Sequence, residues 1–255
     1  MSDKLVLMST GAREVSPQEE PWLHATVERL AQMYDVPKPK KIAVMDTHVP
    51  NAFATGRNPQ NAVVAVTRGL LSRLNEREVE AVLGHELAHV KNRDVAVMTW
   101  AGLIVIMAGY LLQMLFWMSL FGGFGGRDRR EGDGGSIMLV MMAVYVGTIA
   151  IYFVAQLLVM ALSRYREYAA DRGGAIVTGA PMQLASALAK ISNDMYRIPD
   201  QDLREVRHAS ALMFAPALSR EGITGLLSSH PSTESRIEKL RQMQRQLDSP
   251  GPFRA

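Results

Sequence analysis

Two stretches without a charged side chain limit what this chain can fold into. Val95 to Phe121 runs 27 residues and Ile137 to Leu162 runs 26. As a helix the first spans about 40 Å, more than the roughly 30 Å hydrocarbon core of a bilayer. A soluble protein of this length has no use for two such helices, so both read as transmembrane. Trp100 and Trp117 lie near the ends of the first run and fit interfacial anchors. Between the runs, seven of the fifteen residues from Gly122 to Ser136 are glycine. The charges of this linker cancel, Arg127, Arg129 and Arg130 against Asp128, Glu131 and Asp133. The outer flanks are basic: Arg73, Arg77, Lys91 and Arg93 before the first run, Arg164, Arg166 and Arg172 after the second. The positive-inside rule therefore places both flanks in the cytoplasm and the glycine linker outside, a multi-pass arrangement in the cell membrane.

A hairpin through the lipid returns the chain to the side it left. His89 stands six residues before the first run and Glu167 five after the second. Unbroken helices would hold each about 8–9 Å beyond the hydrocarbon edge, where the two ends can meet.

What they would meet around is set by His85-Glu86-Leu87-Ala88-His89. On a helix, residues four apart share a face, so both imidazoles can aim at one zinc ion, and Glu86 can reach a water on it as general base. The helix itself is well signalled. Asn75 suits an N-cap, Glu78 completes a capping box, and Val79, Val82, Leu83, Leu87 and Val90 form an apolar stripe. The absence of cysteine removes disulfide frameworks, cysteine zinc sites and thiol nucleophiles. A net charge of +3 with no basic run interleaved with aromatics suits a lipid bilayer as partner, and no nucleic acid. Residues 1–30 carry no signal-peptide pattern.

Elsewhere, Ser16-Pro17-Gln18-Glu19 predicts the start of a helix over about 17–35, with His24 a structural histidine. Lys41–Thr47, Asn51–Gly56 and Ala62–Thr67 read as short strands of a small sheet. A strand beside a zinc cleft can receive a peptide as an added strand, and a plain structural hairpin explains the same residues equally well. Gly173-Gly174 is expected to loosen the helix after the second run. Pro181 to about Met195 and 232–247 read as further helices, the latter entered through His230-Pro231. Residues 197–229 are expected to form a cover near the site. The chain thus divides into 1–94 (sheet and zinc helix), 95–162 (the membrane hairpin) and 163–255 (the remainder of the catalytic part).

A catalytic zinc needs a third protein ligand besides a water. Glu167, Asp171, His208 and His230 are the downstream candidates. Glu167 and Asp171 share a helix face, which favours Glu167 as ligand and Asp171 as partner of a ligand imidazole; exposed charges in the Arg164–Arg172 cluster are the alternative.

The succession His85-Glu-Leu-Ala-His89, Glu167-Tyr-Ala-Ala-Asp171, and His230-Pro231 followed by Arg236-Ile resembles the HtpX-type membrane zinc metallopeptidases, relatives of the CAAX prenyl proteases. Asn51-Ala52-Phe53-Ala54-Thr55-Gly56 is similar to that family's substrate-side strand, and the likeness extends over about 20–240. The resemblance implies an α+β fold, a mainly helical zincin-like (gluzincin) domain with a small sheet and a two-helix transmembrane hairpin. It implies one zinc ion on His85, His89 and Glu167, Asp171 orienting a ligand histidine, His230 donating to the oxyanion and Arg236 supporting the cleft. Asn51, Ala52, Phe53 and Ala54 would contact substrate. His208 matches nothing in that pattern. That family usually carries a further pair of membrane spans ahead of the catalytic part; this sequence begins almost at the first soluble helix, as a truncated or a shortened member would. The function implied is a zinc endopeptidase of unfolded or misfolded proteins, membrane proteins included, in quality control. The alternatives are a membrane adaptor with a structural zinc, which the absence of cysteine disfavours, and a prenyl-protein processing peptidase, which calls for a larger enclosing cavity.

Overall fold

The computed structural model describes residues 7–8, 10–120, 134–195 and 231–249, without the side chains of 119–120, 134–138 and 195. Four strands form one mixed sheet: β1 Ala12–Glu14, β2 Lys41–Met45, β3 Ala52–Thr55 and β4 Val63–Thr67, in the order β1-β2-β4-β3. β2 and β4 are parallel, with Ile42 opposite Val64, while β3 returns antiparallel along β4 with Phe53 opposite Ala65. Alternation sorts the side chains. Ile42, Val44, Val64 and Val66 join the main core, and Ala43, Met45, Phe53, Val63 and Ala65 pack with Leu7 on the other face. Both faces are covered, which explains why β4 is apolar throughout. β1 carried no sequence signal; its pairing with β2 comes from tertiary context.

Helix α1 covers Pro21–Met33, four residues later than the capping signature predicts. The signature is built nonetheless: Ser16 N donates to Glu19 Oε2 and Glu19 N to Ser16 Oγ. It closes a turn instead of opening the helix, because the residue before Pro21 is driven out of the α region, and Glu20 has ψ 65°. Leu23, Val27 and Leu30 bury the inner face of α1, and Tyr34 beyond its end donates a buried hydrogen bond to Gly84 O. After the short α2, Arg68–Arg73, comes α3, Glu76–Lys91. Its capping box is formed as predicted: Glu78 N donates to Asn75 Oδ1 and Asn75 N to Glu78 Oε2. The Glu78 carboxylate also receives Ser186 Oγ and Lys190 Nζ from α6, Pro181–Met195. Helix α7, Thr233–Asp248, is capped by Ser232.

Two apolar helices complete the chain: α4, Asp94–Leu120, and α5, Gly134–Thr178. Two compact units result, one of residues 1–96 with 164–255 and one of 97–163. In the second unit the apolar side chains face outward: Ile106 is 69% exposed and Leu139 73%. Surfaces of that kind belong in lipid rather than water. Most of the glycine linker, and the proposed cover at 197–229, lie outside the described residues; 134–136 begin α5.

Gly173-Gly174 does not loosen anything. α5 continues through it to Thr178. The glycines allow close approach instead: a Cβ on Gly174 would lie 2.8 Å from His85 N and 3.2 Å from Gly84 C. Helix α3 therefore crosses α5 almost backbone to backbone, beside the first histidine of the motif.

Candidate metal centre

The i, i+4 spacing does what helical geometry dictates. His85 and His89 stand one turn apart on α3, with their Nε2 atoms 3.1 Å from each other. From α5, Glu167 brings Oε2 to 3.7 Å from His85 Nε2 and Oε1 to 3.8 Å from His89 Nε2. One ligand atom from each residue lies within 4.8 Å of the others. Tetrahedral bonds of about 2.0–2.1 Å separate neighbouring ligand atoms by about 3.3–3.4 Å, so the three are spaced for one small cation. Facing imidazole lone pairs repel unless a proton or a metal lies between them, which is a second reason this donor set suits a cation.

Each imidazole is held from behind. His85 Nδ1 lies 2.9 Å from Asp171 Oδ1. Asp171 is gripped in turn by Arg236, with Nε to Oδ2 at 2.8 Å and Nη2 to Oδ1 at 2.7 Å, and Arg236 Nη1 reaches Glu167 Oε2 at 3.4 Å. His89 Nδ1 bonds Asp94 Oδ2 at 2.5 Å. With both Nδ1 atoms engaged, both Nε2 atoms are left pointing at the common centre. Glu86, on the next face of α3, is 2% exposed and accepts a 2.8 Å hydrogen bond from Ala54 N of β3.

The electrostatics follow from burial. Burial pushes the Glu86 carboxyl up to about 7, and the Glu167 charge adds to it. Burial pulls His85 down to about 4, against the hydrogen bond to Asp171. For His89 burial acts the same way, but Asp94, Glu86 and Glu167 outweigh it and the net shift is upward. Burial alone would raise Asp171; Arg236 and His85 hold it well below the carboxylate range. Four carboxylates (Glu86, Glu167, Asp171, Asp94) share this region with the guanidiniums of Arg236 and Arg166. Acidic groups outnumber guanidiniums here, an excess that a divalent cation would offset.

The remaining predicted residues are scattered. Asn51 is 1% exposed; its Oδ1 accepts from Ala52 N, and its backbone pairs with Thr67. Phe53 points to the sheet face away from the main core, among Met45 and Ala65. His208 and His230 lie outside the described residues. Sequence reasoning passed over Asp94, Arg166 and the Ala54 amide. The first two sit five residues after His89 and one before Glu167, a charge pair legible only once the two segments are known to meet.

The model of peptidase family M48 matches residues 17–244. The chain belongs to this family. Among similar proteins, the protease HtpX homolog of Moorella thermoacetica is 52% identical over 248 residues, 97% of this chain and 80% of that protein. Protease HtpX homolog 2 of Methanosarcina acetivorans is 52% identical over 246 residues, 96% of this chain and 80% of that protein. The crystal structure of S. mikatae Ste24p aligns with a TM-score of 0.56 over 93% of this chain. At 20% identity that likeness speaks for the fold, and the chain spans 56% of that protein's length. The M48 fold here is thus mainly helical around a small sheet, with two apolar helices that fit membrane insertion.

Proposed function

We propose that this M48 peptidase is a membrane-associated zinc endopeptidase whose single ion is held by His85, His89 and Glu167, with Glu86 as general base. The convergence of those three donors on one point, with Glu86 buried beside it, carries the reading. A zinc ion bound there would supply Lewis acidity, polarising the scissile carbonyl and lowering the pKa of water from about 15.7 toward 7. Glu86 takes the proton of the attacking water and delivers it to the leaving amine, the role of a general base placed beside the metal-held water. The Ala54 amide fixes one oxygen of Glu86 and leaves Oε1 for that traffic. Arg236 offsets the charge of Glu167 and holds Asp171 against His85. The segment Asn51, Ala52, Phe53 and Ala54 is the proposed substrate side of the cleft, with Phe53 offering only its backbone because its side chain packs on the far face of the sheet, and His230 is the proposed donor to the oxyanion.

The substrates are unfolded or misfolded proteins, membrane proteins included, and the site works on the cytoplasmic face of a multi-pass protein. The basic flanks and the outward apolar faces of α4 and α5 support this placement. Zinc-loaded protein in detergent, incubated with casein, is expected to cleave it, and Glu86→Gln to bind zinc but not cleave. Equal cleavage by both would remove Glu86 from the chemistry.

A further inference from the structure

The HExxH pattern ends at His89, yet the site does not. After α3, Arg93 adopts φ 55°, a left-handed corner that turns the chain sharply into α4. The corner brings the first residue of α4, Asp94, back against the motif it has just left. Asp94 is 4% exposed, and its Oδ2 is 2.5 Å from His89 Nδ1. The same oxygen lies 3.2 Å from Nε of Arg166, the residue before Glu167 on α5. His85 is backed by Asp171, and Asp171 by Arg236. The same chain of imidazole, carboxylate and guanidinium is therefore built twice, once behind each histidine.

Resting on the zinc-site reading above, we propose that Asp94, anchored by Arg166, is the positioning residue that fixes the His89 ring and tautomer for metal binding. A carboxylate on Nδ1 keeps the proton there, so Nε2 carries the lone pair that faces Glu167 and His85. The Arg166 guanidinium, an ion-pair partner at 3.2 Å, keeps that carboxylate charged and attracted to this side of the ring. Because Arg166 adjoins Glu167, one ion pair also ties the approach of the third ligand to the second. The competing role for Asp94 is that of an acid in the first turn of α4, which would affect helix stability but not metal affinity.

The two roles separate by experiment on the full chain in detergent. Asp94→Ser keeps a polar side chain at the helix start but is too short to reach His89; Asp94→Asn keeps the size and loses the charge. Zinc affinity is read by chelator competition, cobalt(II) binding by its visible spectrum, and metal-free stability by melting. Asp94→Ser is expected to weaken zinc binding about 10–100-fold and to alter the cobalt spectrum, with Asp94→Asn intermediate. Arg166→Gln should weaken zinc binding less than Asp94→Ser. If Asp94→Ser and Asp94→Asn both bind zinc within about twofold of wild type, the proposal falls, whatever happens to melting. Failure of the zinc site itself would show differently: His85→Ala would then bind zinc as tightly as wild type.

Discussion

Gly174→Ala tests whether the approach of α5 to α3 is as tight as described. The added methyl would lie 2.8 Å from His85 N, 3.1 Å from His85 Cα and 3.2 Å from Gly84 C. Ordinary carbon contacts begin near 3.5 Å, so the shortfall is about 0.3–0.7 Å. All three atoms are backbone, in a helix whose other face is buried, and none can rotate away. Overpacking of this kind costs about 1–3 kcal/mol, while alanine returns about 1 kcal/mol of helix propensity. The net loss is about 1 kcal/mol, or about 2–4 °C in Tm for a chain of this size. Glu167 lies two turns earlier on the same helix, so zinc affinity should fall as well. Melting in detergent and chelator competition read both quantities. Gly147→Ala, on the same helix with nothing within 4 Å of the new methyl, is the control and should lose nothing. A Gly174→Ala protein that melts above wild type would refute the argument, because the steric term would then be smaller than the propensity term.

Arg236→Met leaves Asp171 and Glu167 buried without their cation and should destabilise the fold by about 3–5 kcal/mol, read as a large drop in Tm. Burial alone would raise Glu78, but Lys190, Ser186 and the Asn75 amide hold it below the usual carboxylate range. Its contribution is therefore present above the unfolded pKa of about 4.3 and lost as pH falls through the lower folded value. Glu78→Gln should melt below wild type at pH 7, with the gap closing in acid; a gap constant with pH would contradict this. Removing zinc with a chelator should abolish casein cleavage and lower Tm, zinc present at 1,000 times its Kd being worth about 4.1 kcal/mol. Both should return when zinc, but not magnesium, is restored.

The parts of this fold legible in the sequence are those set by short-range chemistry. The Asn75–Glu78 box, the i, i+4 histidines, the strand alternation of Ile42 and Val44 and the two charge-free runs all rest on neighbours in the chain. What stayed hidden depends on distant ones. The parallel pairing of β2 with β4 skips over β3, so no local pattern records it. Ser16–Glu19 has the right residues for a helix start, and Pro21 alone moves that start. Gly174 reads as a weak point in one dimension and is a contact point in three. At the site, the residue types left Glu167, Asp171, His208 and His230 open, and family resemblance narrowed them. Asp94 gave no signal because its partner is a ring five residues back across a left-handed corner.

The bidentate grip of Arg236 on Asp171 has a consequence for biosynthesis. Translation runs from the N-terminus, so the guanidinium that steadies both carboxylates is the last of the described site residues to be made. Until α7 has been synthesised and has docked, a nascent chain carries the histidine motif with an unbalanced pair of acids behind it. Completion of the buried charge network therefore waits on the docking of α7, the last described helix of the chain.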